Sequence, residues 1–149
     1  MSSDEIDPIT IEGRWQILAL HKFLFAAKFD TEMDDEYVGS PYIANVQRLL
    51  ADALEHADPG DGWTRWRNAA EHQHRLQRVR RYVASAATSK WWVQATPEER
   101  AVHVRDVLAP LRASDDLVAD LCREPGDVQQ QSTAAEPAER SNPSPQDPL

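Results

Sequence analysis

Two Ser/Thr–Pro steps, Ser40–Pro41 and Thr96–Pro97, each stand directly ahead of a run in which apolar residues recur every three or four positions. The side-chain oxygen before such a proline accepts a bond from a free amide of the first helical turn. Proline at the first position gives up an amide that has no partner there. "TPEER" adds Glu99 three residues after Thr96, the spacing of a capping box. Between such starts the apolar period is helical, and no stretch alternates long enough to make a strand. The chain is therefore expected to be all-α, a compact bundle of about five helices with a disordered C-terminal tail.

The expected helices follow from the same punctuation. The first runs from an N-cap at Thr10 to about Phe29. Ile11, Trp15, Leu18, Phe25 and Phe29 fall on one face, while Ile17, Leu20, Leu24 and Ala27 form a second stripe nearly opposite. A helix apolar on two sides is buried on two sides, as the centre of the bundle or against a second copy in a homodimer. The second helix, 41–57, puts Ile43, Val46, Leu50, Ala53 and Leu54 along its buried stripe and stops at "DPGDG". A third is expected from Trp63 to Ala87, about 37 Å long if unbroken, with "TSKWW" breaking it or opening a short extra turn. The fourth starts at Thr96 and runs to Pro110–Leu111, and a short fifth is capped by Ser114.

Residues 1–9 read as an N-terminal arm, 10–124 as one helical domain and 125–149 as a disordered, acidic, proline-rich tail. After Pro125 the chain has four more prolines and almost no large apolar residue, too little apolar surface to offset chain entropy. Cys122, the single cysteine, excludes an intrachain disulfide and any multi-cysteine metal knuckle. The start is acidic where a secretory signal is basic, and "WQILALHKFLFAAKF" is too short and too polar to span a bilayer. A soluble, cytoplasmic protein without membrane contact is the expectation.

Charge is segregated. Residues 1–62 carry 13 Asp/Glu against 4 Lys/Arg, net −9; residues 63–113 carry 4 against 10, net +6; residues 114–149 carry 8 against 2, net −6. In the first segment, "FDTEMDDEYVGSP" places Asp30, Glu32, Asp34, Asp35 and Glu36 within seven positions. A calcium loop beginning at Asp30 needs glycine sixth and glutamate twelfth, where this chain has Asp35 and Pro41. Acid–base catalysis needs a desolvated carboxylate, and only Met33 and Tyr37 offer cover. The stretch reads as a hydrated connector whose negative potential serves recognition of a basic partner.

In the basic segment, Arg67, His74, Arg78 and Arg81 share one side of the expected third helix over about 21 Å. No aromatic platform interleaves them and no helix-turn-helix pattern is present, so nucleic acid is disfavoured. They are expected to meet the acidic connector or the second helix, or failing that an acidic protein. His72 and His74 are two apart and point away from each other on a helix, whereas shared ligation needs three or four. His103 and Asp106 have that spacing but form a lone pair, and Glu-x-x-His occurs once, at Glu71–His74, where carboxylate-bridged iron bundles require it twice. Neither a nucleophile elbow nor a phosphate loop is present. No metal, cofactor or catalytic residue is assigned.

Trp91 and Trp92 are adjacent, so one of them is expected at a margin, where docking anchors sit. The leading functional expectation is a non-catalytic accessory, inhibitor or immunity-type protein. It would dock onto a protein partner through Asp34, Asp35 and Glu36 as a negative lure and Trp91 or Trp92 as an apolar anchor. A nucleic-acid-binding or regulatory factor using the basic strip comes second, and a helical-bundle enzyme third.

Overall fold

The structure, a computed structural model, describes residues 6–123. The expected tail, 125–149, and residues 1–5 of the N-terminal arm lie outside them. Among the described residues are eight α-helices, one 3-10 turn and no strand. They are α1 (Arg14–Phe29), α2 (Asp35–Val38), α3 (Pro41–Ala57), α4 (Gly62–Trp66), the 3-10 turn Ala69–Glu71, α5 (Gln73–Ala86), α6 (Lys90–Gln94), α7 (Pro97–Leu108) and α8 (Asp115–Leu121). The longer ones, α1, α3, α5, α7 and α8, correspond to the five expected.

Three of the expected caps are in place. Ser40 Oγ accepts from the Ile43 amide, Thr96 and Glu99 form both bonds of the capping box, and Ser114 Oγ accepts from Leu117. Ser89 caps α6 in the same way, accepting from Trp92. The first helix departs from expectation. It begins at Arg14, with no side-chain cap, because Gly13 at φ +89 turns the chain in a conformation L side chains rarely adopt.

The third expected helix is broken, and tertiary bonds explain why. Asn68 Oδ1 accepts from the Ala70 amide, which starts the 3-10 turn. The Ala69 amide donates to Arg112 O at 2.8 Å and the Arg112 amide to Arg67 O at 2.5 Å, a short parallel bridge to the α7–α8 connection. These amides and carbonyls are spent on the bridge and are lost to helix continuation.

The core lies around α5 and α7. Leu76, Val79 and Val83 of α5 meet Val104, Val107 and Leu108 of α7, closed by Trp92, Val118 and Leu121. α1 and α3 pack antiparallel at one side, where the Arg14–Asp58 pair at 3.8 Å joins the start of one to the end of the other. α1 is therefore not the central helix. Its buried residues, His21, Phe25, Lys28 and Phe29, sit in its second half, the Ile17–Leu20–Leu24 stripe is half-buried, and Trp15 is 77% exposed.

α3 is turned relative to its apolar stripe. Ala44, Gln47, Leu50, Ala51 and Leu54 are buried, while Val46 and Ala53 face solvent. The reason is Lys28, whose Nζ donates to Gln47 Oε1 at 2.9 Å, Asp106 O at 2.7 Å and Ala109 O at 3.0 Å. The ammonium fills all three of its donors, joining the Ala109 amide on Asp106 O and supplying a partner to Ala109 O just past the end of α7. Burial, reinforced by the Arg48 guanidinium and opposed by Asp106, pushes the Lys28 pKa down to about 7.

A second polar tie is Arg67, 3% exposed. It donates to Pro110 O at 3.0 Å, Asp52 at 2.6 Å and Glu55 at 3.3 Å. It lies ahead of the 3-10 turn and faces α3, so it does not belong to a strip along α5. No helix among the described residues is long and apolar enough to cross a membrane.

Candidate functional site

The acidic connector is split between internal pairing and solvent. Asp30 accepts from Arg75 Nε at 3.2 Å, Glu32 pairs with Arg81 at 3.1 Å and Asp35 with Arg78 at 3.6 Å. Asp34 and Glu36 have no ion pair among the described residues. The basic strip is consumed from the other side of the same contacts. Arg78 is buried and also donates to Met33 O at 2.9 Å, Arg67 is held by α3, and His74 is exposed with no described partner. The arginines at these positions are therefore paired with carboxylates within the chain, although Arg78 Nε is buried without a partner.

α2 is fixed by the residues just past its acidic turn. Val38 is buried, and Gly39 packs so tightly that a Cβ there would press on the Tyr82 hydroxyl and on His103 Cε1. Only glycine allows this approach. The Tyr82 hydroxyl lies 2.7 Å from His103 Nε2. Burial raises the Tyr82 pKa, reinforced by Asp35, and burial lowers that of His103 against the opposing effect of Asp106. Near neutral pH the two therefore form a hydrogen bond between uncharged groups.

Trp91 is next in this chain of contacts. Its ring stands edge-on to the His103 imidazole at 4.9 Å. The adjacent tryptophans divide as their spacing requires. Trp92 is fully buried in the core with the Arg100 guanidinium 5.3 Å over its ring, and Trp91 is 47% exposed. Trp91 opens onto a groove of about 360 Å³ shared with Glu98, Glu99, Val102, His103 and Asp106. Glu99 is committed to the capping box and Asp106 pairs with Arg48 at 2.9 Å. Val102, 62% exposed, supplies apolar surface beside Trp91.

Gly39, at the end of the acidic turn, and Trp91 thus meet the same Tyr82–His103 pair, with Asp35 near enough to raise the Tyr82 pKa. Sequence reasoning names both ends of this arrangement and misses its middle. Gly39 reads as punctuation ahead of a helix, and nothing in the spacing joins Tyr82 to His103. The arrangement suits holding a cation over an aromatic face beside carboxylates.

Among the described residues, no three His, Cys, Asp or Glu side chains converge as a metal site. Cys122 is half-buried at the edge of the core, and burial raises its pKa away from the reactive thiolate. Fold and site together define an all-α bundle with an acidic, aromatic groove on its surface. In comparison with known families, curated proteins and solved structures, the chain matches none.

Proposed function

We propose that the chain is a non-catalytic binding protein of the cytoplasm, an accessory, inhibitor or immunity-type factor. It takes a lysine- or arginine-bearing segment of another protein into the groove beside Trp91. The observation that carries this reading is the half-exposed Trp91 ring at a groove edged by Glu98, Glu99 and Asp106, with Asp34 and Glu36 of the acidic connector free of ion pairs among the described residues. A basic side chain gains a cation–π contact there of about 0.5–1 kcal/mol, and the surrounding negative potential speeds its encounter.

The test uses the full chain titrated with a short arginine-rich peptide, followed through the Trp91 indole resonance at low and high salt. Saturable shifts that weaken with salt and disappear in Trp91→Ala support the reading. The paired change Asp34→Lys and Glu36→Lys should slow association. Binding unaffected by either variant would sink it.

The nucleic-acid alternative draws little support, because Arg67, Arg78 and Arg81 already face carboxylates of the same chain. A homodimer has a specific observation behind it, on the outer side of α1 and α3. Phe23, Tyr42 and Leu49 are 69%, 81% and 69% exposed, and Val46 lies beside them. The residues at these helical positions, with Gln16, Ala19, Leu20 and Ala53, carry no charge. A second copy of a chain of net charge −9 meets least repulsion through such a face. Sedimentation of Leu49→Lys against the unaltered chain tests this: unchanged mass in both, at monomer value, removes the dimer.

A further inference from the structure

Midway along α1, His21 is 4% exposed and makes no hydrogen bond with any described residue. His72, the other buried histidine, differs. Its Nε2–H donates to Trp66 O at 2.6 Å, which leaves Nδ1 to accept from Arg75 Nη1 at 3.2 Å. The His21 ring nitrogens are not among the fully enclosed polar atoms that lack a partner, which are Gln47 Nε2, Arg78 Nε and Trp92 Nε1. A nitrogen that is neither enclosed nor bonded within the described chain is available to whatever occupies the space beside it.

His21 lines an open cavity of about 490 Å³ between α1 and α4. Its ring is edge-on to Trp63 at 5.5 Å and to Trp66 at 5.0 Å, while Phe25 lies 4.8 Å from Trp66. Burial, with Arg67 and Lys22 nearby, lowers the His21 pKa. The uncharged ring offers one donor and one acceptor.

The charges around the opening balance, Lys22 and Arg75 against Asp30 and Asp58. Arg75 is already engaged by Asp30, by His72 and by the face of Phe25, 4.8 Å from its guanidinium carbon. Asp58 faces Arg14. A cation entering here would find no free carboxylate, and the one charge at the opening without a described partner is the exposed Lys22. A flat ring would find three aromatic walls and one imidazole with no described partner.

We propose that this cavity binds an uncharged, planar molecule of one or two aromatic rings. The rings pack against Trp63, Trp66 and Phe25, and one hydrogen-bonding group of the ligand meets His21. The site is separate from the groove beside Trp91, on different helices, and does not depend on the docking reading.

Phenol and toluene have nearly the same shape and differ by one hydroxyl, so they isolate the His21 bond. The full chain is titrated with each, and with benzoate as the charged control, while the His21 ring and the Trp63 and Trp66 indole resonances are followed. Phenol should shift all three saturably and bind about tenfold more tightly than toluene, the ratio that one hydrogen bond in a dry site provides. His21→Phe should bring phenol and toluene to equal affinity, and Trp63→Ala should weaken both while leaving phenol ahead. Circular dichroism of each variant establishes that it is folded. The proposal is overturned if no probe shifts His21 in the unaltered chain, if toluene matches phenol there, or if benzoate binds more tightly than phenol.

Discussion

The groove beside Trp91 and the cavity beside His21 use the same kinds of side chain with opposite pairing. In the groove the histidine is tied, since His103 is bonded to Tyr82, and Glu98 on its rim has no described partner. In the cavity the histidine has no described partner and both carboxylates are paired. Residue type therefore does not decide what a concave surface selects. What each polar group has left over after satisfying its neighbours decides it: the groove has spare negative charge, and the cavity has a spare hydrogen bond and ring area.

The largest expected effect separates the two adjacent tryptophans of α6, one at the groove and one in the core. Trp92→Ala empties a fully buried site and should cost about 3–5 kcal/mol in urea unfolding, whereas Trp91→Ala should cost about 1 kcal/mol or less. Comparable losses would mean that Trp91 is structural and would remove the anchor from the groove.

Next comes Lys28, which ties the helix under the cavity to the helix under the groove. Its pKa in the folded chain, about 7, lies below the ordinary 10.5, so above pH 7 the unfolded chain holds more protons. Stability should therefore rise with pH from 7 toward 10, by up to about 3 kcal/mol by pH 9.5. Tyr82, with its pKa raised, works in the opposite direction above pH 10. Lys28→Met should flatten the rise between pH 7 and 9.5. It should also be the less stable protein at pH 9.5, having orphaned the Ala109 carbonyl and the Gln47 side-chain oxygen. A persistent rise in that variant would assign the effect elsewhere.

Gly39→Ala should cost about 1–3 kcal/mol by forcing the Tyr82 hydroxyl and His103 apart from the α2 backbone. Because it disturbs the middle of the groove and not the cavity, it should move the Trp91 resonance and leave Trp63 unchanged. Smallest is the acid response. The lowered pKa values of His21 and His103 give stability that is full above about pH 6.5 and is lost as pH falls through their folded values. His103→Gln, which retains a polar partner for Tyr82, should reduce that acid loss without altering phenol binding at His21.

Local chemistry is legible in the residues, and long-range pairing is not. Ser40, Thr96 and Ser114 announce helices because a cap is a bond within four residues. Trp91 and Trp92 announce their own division because neighbours on a helix face about 100° apart. The break after Trp66 is invisible because its cause is Arg112, far along the chain. The rotation of α3 is hidden because Gln47 and Lys28 look like surface residues until each is seen to be the other's partner. His21 can be placed among apolar neighbours from spacing alone, but that it lacks a bond is a fact about everything around it. The acidic connector is plainly negative from its residues, yet which of its carboxylates stay free depends on where Arg75, Arg78 and Arg81 arrive.

The interrupted third helix has a further consequence. A straight rod from Trp63 to Ala87 would set Trp66 some ten residues, about 15 Å, up the axis from Leu76. Bent at Asn68–His72, the chain turns a corner instead, and Trp66 and Leu76 pack on one core. Bundles of straight rods have convex outsides and filled insides; a corner is what gives such a chain an alcove. Straightening it with Asn68→Ala and His72→Ala would take away the alcove before it took away the fold.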